Sequence, residues 1–343
     1  MAFGTFKEVH GFVERTELPM DVTRARARLS TSRIQAAVSL INPIFLNTPQ
    51  FSVAPLGAEL GCEVLAKIET LNPVRSFKGR GAELFMSKFA ASEATSTVVC
   101  ASAGNFGQAM AFAADTRGIR LIVYAATTAN SLKVRRMRDF GAEVRLGGDD
   151  FDAAKLSAKR FAGESGFRLV EDSLDPETAE GAGTIGLEIL ALDKPLDVLL
   201  VPIGNGALFN GIARVLKDHA VPTRRVGVQA SGAPAMVESL RTGRIVSHER
   251  VSTIADGIAV RVPIPEALHD MEGLVDDTVL VGDDEIVRGM RLIHEHIGVV
   301  PEPSAAVGVA AVLAQPERYA GQRIGIIVCG GNLTPEQMAR WLG

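Results

Sequence analysis

The chain has 343 residues, 47% of them hydrophobic, with 36 basic and 40 acidic side chains for a net charge of -4. Acids and bases are interspersed, so there is no broad cationic face for nucleic acid or an anionic membrane, and a small molecule is the expected partner. Three cysteines, Cys62, Cys100 and Cys329, stand far apart with no CxxC pair, which excludes a zinc ribbon or disulfide frame and matches a reducing, cytoplasmic setting.

The length allows one large domain or two smaller ones. The longest apolar run, residues 305–314, is too short to span a bilayer. The opening "MAFGTFKEVH" lacks a cationic start followed by an apolar block, so no leader is expected.

Residues 1–40 are charged and irregular, with Arg24, Arg26 and Arg28 close together, and read as an arm over the body or at a subunit contact. "EVLAKIE" (63–69) is the first buried strand. Next comes "NPVRSFKGRGA" (72–82), which sets Lys78 between Phe77 and two glycines. It is either a basic surface loop or a functional amine held against something flat.

The strand "TVVCAS" (97–102) runs through Ser102, Ala103, Gly104, Asn105, Phe106 and Gly107 into a helical segment, "GQAMAFAADTRG" (107–118). Amides of such a turn can hold a carboxylate, and Asn105 can offer its side chain to a ring substituent. Ser and Asn are equally favoured as helix caps for local reasons. "RLIVYA" (120–125) is a further strand, and "EDSLDPETAEGAGT" (171–184), rich in acids and glycine, reads as a loop crossing between two lobes.

"LDVLLVPIG" (196–204) leads into Gly204, Asn205, Gly206 and Ala207, then a helix carrying Leu208, Ile212 and Leu216. Small residues let backbone N–H groups converge on the partial positive charge of a helix start, which makes a phosphate cradle; the alternative is a tight turn with no ligand. The spacing is not GxGxxG, Asp218 comes too early for a ribose partner, and no GxxxxGK[ST] occurs. A mononucleotide-sized phosphate fits better than a dinucleotide.

After the strand "RRVGVQA" (224–230), His294 and His296 stand two apart in "RLIHEHIG", on different helix faces, and read as surface or packing residues. Glu302 in "EPSAA" either faces the site or caps the next helix, and Asp256 and Gly257 in "ADGIAV" shape a turn. In "RIGIIVCGG" (323–331), Cys329 ends a strand ahead of Gly330, Gly331 and Asn332. Strands apolar on both faces imply covered parallel sheets, and alternation with helices implies a doubly wound α/β fold. In such a sheet the glycine turns at strand carboxyl ends surround the ligand crevice.

The set "SFKGRGA", "ASAGNFGQA", "GTIGLEIL", "VPIGNGAL", "ADGIAV", "EPSAAVGVAAVL" and "CGGN" resembles the pyridoxal-phosphate enzymes of the tryptophan synthase β fold, and within them the serine/threonine dehydratases and serine racemase. The motifs keep that family's order from about Asn47 to Asn332. The resemblance implies two doubly wound α/β lobes with mainly parallel sheets and the cofactor in the cleft between them. The large cofactor-binding domain would comprise 1–96, including the 1–40 arm, plus 176–343, and the small domain 97–175. It further implies that Lys78, preceded by Phe77, carries pyridoxal 5'-phosphate as a Schiff base. Asn105 would contact the phenolic oxygen, and Gly204, Asn205, Gly206, Ala207 and Leu208 the phosphate. Cys329 would face the pyridine nitrogen, and Ser102, Ala103, Gly104 and Asn105 would take the substrate carboxylate.

The expected reaction is dehydration of a small β-hydroxy amino acid, L-threonine or L-serine first, to a 2-oxo acid and ammonia by a cytoplasmic homodimer. The alternatives are racemisation, β-replacement, or dehydration of hydroxyaspartate or a bulkier β-hydroxy amino acid. Ala103 stands where serine racemase has a second serine and has no proton to give, which favours dehydration. Gln229 stands where many relatives place a Glu that holds a structural cation, so no metal is expected. Phe106 replaces a frequent histidine, and Asn205 and Ala207 replace loop glycines.

Overall fold

In the computed structural model, residues 27–92 and 97–343 are described; Arg24 and Arg26 of the expected arm lie outside them. The described residues hold ten strands in chain order. They are β1 (Gln50–Ser52), β2 (Glu63–Ile68), β3 (Thr97–Ala101), β4 (Arg120–Ala125), β5 (Glu143–Leu146), β6 (Arg168–Val170), β7 (Val198–Pro202), β8 (Arg224–Ala230), β9 (Asp277–Val281) and β10 (Arg323–Val328). They form a six-stranded sheet, β1-β2-β10-β7-β8-β9, and a four-stranded sheet, β5-β4-β3-β6. Every pairing is parallel except β1 with β2, where Phe51 lies opposite Ala66. The expected mainly parallel α/β architecture is therefore present, with one short antiparallel edge.

Parallel strands need long crossovers, and here helices supply them on both faces, which is why the central strands carry few polar residues. All five residues of β7 are buried, as are Pro303 to Val312 in the helix Pro303–Ala314. Burial of each Val, Leu or Ile there contributes about 1.5–3 kcal/mol. Among the described residues, no helix is long and apolar enough to cross a membrane.

The segment read as a crossing loop is different. The helix Pro176–Leu190 starts inside it, and its Thr178 to Gly186 stretch is buried. The glycines that suggested a loop are there for close packing: a Cβ at Gly181 would lie 2.5 Å from the Arg80 carbonyl oxygen and the Gly81 Cα. They let this helix press against the helix Lys78–Ser92, a gain that outweighs the modest helix cost of glycine.

Of the expected arm, residues near Arg28 pack on the body. Arg28 donates to the Leu174 carbonyl and pairs with Asp270 at 3.7 Å, while Arg33 reaches Glu180 at 2.6 Å.

Candidate active site

Lys78 opens the helix Lys78–Ser92, so it stands at a helix start rather than in a loop. Just before it the chain is fastened to the end of β10: Phe77 N donates to Cys329 O at 3.0 Å, Gly331 N donates to Arg75 O at 3.0 Å, and Ser76 bridges Gly330. These backbone bonds bring Lys78 and Cys329 together across 251 residues of sequence.

Arg80, in the run that offered a basic surface loop, does not reach the surface. It is fully buried, held by Glu69 through two bonds of 2.9 Å and by Glu188 at 2.6 Å, while its remaining donors reach Thr184 and Thr48. Lys67 joins Glu188 and donates to Thr48 O at 2.7 Å. Burial alone raises the Glu188 pKa, but the Arg80 bonds and the Arg80 and Lys67 charges bring it below the ordinary value. Glu188 is thus held ionised, and the cluster ties the helix that Lys78 opens to β2 and to the helix Pro176–Leu190.

The Lys78 amine lies 2.5 Å from Asp172 Oδ2 and 4.6 Å from the centre of the Phe77 ring. Asp172 follows β6. It lines a cavity of about 110 Å³ together with Ser102, Phe106, Glu171, Asn205 and Ile264. A roomier hollow of about 510 Å³ is walled only by residues of the 52–64 segment and touches none of the strand-end turns.

Asn105 begins the helix Asn105–Asp115 and bonds sideways to the end of β10. Its Nδ2 donates to Glu302 Oε1 at 2.7 Å, and its Oδ1 accepts from Asn332 Nδ2 at 2.9 Å. Glu302 sits at the start of the helix Pro303–Ala314 without capping it through its side chain. It is 3% exposed and also accepts from Ser304 Oγ at 2.9 Å and Asn332 N at 3.3 Å. Burial pushes the Cys329 thiol up, the Glu302 charge pushes the same way, and the thiol stays neutral. Ser102 Oγ accepts from Gly104 N at 3.2 Å and Gly107 N at 2.9 Å, so its oxygen shapes the turn while its proton remains to donate; Ala103 is half-buried beside it.

The turn after β7 has the form of an anion seat. Gly206 is the N-cap of the helix Ala207–Asp218 with φ 101°, and no side chain caps that helix. Uncapped N–H groups at a helix start favour negative charge. A Cβ at Gly206 would press on Asn210 Nδ2 at 2.9 Å and Met271 Cε at 3.0 Å. Asn205 Oδ1 is buried without a partner, and Ala207 and Leu208 are buried behind it.

Other candidates fall outside this constellation. His294 bonds the Val299 carbonyl, and His296 meets Glu59. Gln229 accepts from Val237 N at 3.0 Å. Among the described residues no cluster of three His, Cys, Asp or Glu could hold a metal ion. Asp256 is paired with Lys133 at 2.7 Å. Asp172, Glu69 and Glu188 had no place in the sequence reading; Asp172 follows a strand with one buried residue, Val170, which leaves no pattern to mark it.

Comparisons with known proteins agree on one family. A family model described as pyridoxal-phosphate dependent enzyme matches residues 41–330. An L-threonine ammonia-lyase of Thermotoga maritima is 36% identical over 280 residues, covering 82% of this chain and 70% of that protein. A biosynthetic L-threonine dehydratase of Pasteurella multocida is 32% identical over 288 residues, covering 83% of this chain; the chain spans only 56% of that relative's length. Among solved structures, maize serine racemase superposes with a TM-score of 0.85 at 29% identity, covering 91% of this chain and 96% of that one. The processed threonine deaminase isoform 2 of Solanum lycopersicum gives 0.81 at 28% identity, covering 94% and 96%.

Proposed function

Because the chain belongs to the pyridoxal-phosphate dependent enzymes, we propose that it is an ammonia-lyase removing water from a small β-hydroxy amino acid. L-threonine or L-serine comes first, and the products are a 2-oxo acid and ammonia. The observation that carries the reading is the Lys78 amine, backbone-pinned beside Cys329 and paired with Asp172, which lines a cavity at the strand carboxyl ends.

The residues suit the cofactor. The uncapped helix start after Gly206 offers a seat for its phosphate through Gly204, Asn205, Gly206, Ala207 and Leu208. The neutral Cys329 thiol suits the pyridine nitrogen, Asn105 suits the phenolic oxygen, and Lys78, next to Phe77, would hold the group covalently. When bound, the cofactor supplies an electron sink for charge developing at Cα.

The protein's own residues do the rest. The turn of Ser102, Ala103, Gly104 and Asn105 would orient the substrate carboxylate, with the Ser102 hydroxyl proton as one donor. The Lys78 amine would take the Cα proton as general base, and the ammonium so formed would meet Asp172. Ala103 offers no proton on the opposite face of Cα, which supports elimination over racemisation. The neutral partner at the pyridine nitrogen supports it too, since it does not force the ring to stay protonated. We take the active form to be a cytoplasmic homodimer, with 97–175 as its smaller lobe.

The test is product analysis. Cofactor-loaded protein should release 2-oxobutanoate and ammonia from L-threonine, with Lys78→Ala inactive and borohydride fixing the label on Lys78. D-serine from L-serine, or a thioether product, as the main outcome would overturn the reading.

A further inference from the structure

Asp172 does more than neutralise Lys78. One carboxylate oxygen faces the lysine at 2.5 Å, but the other, Oδ1, is buried with no hydrogen-bond partner. A desolvated carboxylate oxygen is costly unless something pairs with it. Its neighbour Glu171 is in a different position. Both cations on that side, Lys155 at 2.6 Å and Lys159 at 2.9 Å, are engaged by Glu171. Asp172 is therefore balanced by Lys78, and when Lys78 is joined to the cofactor the Asp172 charge is left facing the cavity. The rest of that wall includes apolar Phe106, Leu169 and Ile264, which do nothing to screen it, and Lys155, whose charge is taken up by Glu171 at 2.6 Å.

We propose that Asp172 sets the class of side chain this enzyme accepts. The Oδ2 that Lys78 releases receives a hydrogen bond from a neutral β-hydroxyl, and the carboxylate charge repels a β-carboxylate. The enzyme then handles threonine- and serine-like amino acids and rejects 3-hydroxyaspartate. The inference rests on the reading that Lys78 carries the cofactor. Like charges facing each other across a binding site give strong discrimination between ligands.

Amino acids without a leaving group isolate binding from chemistry. L-2-aminobutyrate and L-aspartate are titrated into the cofactor-loaded protein, and the cofactor's absorbance change is followed as the amino acid takes the place of Lys78. Wild type should bind L-aspartate about 100-fold more weakly than L-2-aminobutyrate, and Asp172→Asn should narrow that gap by about tenfold or more. Asp172→Ser serves as the second variant should the first fold poorly, as judged by circular dichroism. Equal discrimination in wild type and both variants, or a wild type that binds the two ligands alike, overturns the role of Asp172 while cofactor uptake leaves the catalytic reading intact. A protein that takes up no pyridoxal phosphate overturns both.

Discussion

The Asn105 amide meets the Glu302 carboxylate at 2.7 Å, and Asn332 closes the triangle by donating to Asn105 at 2.9 Å. Helix starts behind β3 and ahead of β10 are thereby fixed relative to each other. Asn105 cannot rotate freely, because its two ends are claimed by a carboxylate and an amide donor of opposite polarity.

Replacing Glu302 with Gln removes the charged acceptor and lets the Asn105 amide turn. A hydrogen bond to a charged group contributes about 1.5–3 kcal/mol, so ketoacid release should fall about 10- to 100-fold. The absorption maximum of the bound cofactor should shift as well. Unchanged kinetics and spectrum would remove Glu302 from the positioning role.

Arg80→Met leaves Glu69 and Glu188 in a buried site without their main cation. Breaking a buried pair from one side costs about 3–5 kcal/mol, which should appear as a lower urea midpoint of unfolding. Arg80→Lys should recover only part, because one ammonium cannot bridge both carboxylates as the planar guanidinium does.

Gly206→Ala asks a residue with a Cβ to adopt φ 101° while pressing on Asn210 and Met271. Left-handed backbone costs a non-glycine residue about 1–2 kcal/mol before any clash. Cofactor affinity, measured by equilibrium dialysis, should drop about tenfold or more, whereas Gly243→Ala, whose Cβ would meet nothing within 4 Å, should leave it unchanged.

Asp270 gives a pH signature of stability. Burial pushes its pKa from 3.8 up to about 6, and Arg28 at 3.7 Å offsets only part of that. The folded protein therefore binds this proton more tightly than the unfolded chain does. The stability it contributes is complete below 3.8 and is lost as pH rises through 6, by about 3 kcal/mol for a shift of about two units. Asp270→Asn should raise the urea midpoint at pH 7 and leave it nearly unchanged at pH 4.

Central strands were legible in the sequence because burial on both faces writes itself as unbroken Val, Ile and Leu. Strands β1, β5, β6 and β9 were not legible; β5 (Glu143–Leu146) has no fully buried residue and β6 only Val170. Lys78, Asn105, the Gly204 turn and Cys329 were readable as a set of turns behind strands. The burial of Arg80 was not legible because charge suggests solvent, and its partners Glu69 and Glu188 lie 11 and 108 residues away. The Pro176–Leu190 helix was hidden by glycines whose purpose lies in a neighbouring helix.

The place of β10 has a consequence for synthesis. Residues 323–328 slot between β2 and β7, pairing six residues of one and three of the other. Until they leave the ribosome, two strands near the middle of the sheet keep open edges, and the backbone that will fasten Lys78 is still missing. The nascent chain carries an exposed, aggregation-prone seam until β10 is made. A stop just before β10 would therefore leave a split sheet rather than a slightly shorter enzyme.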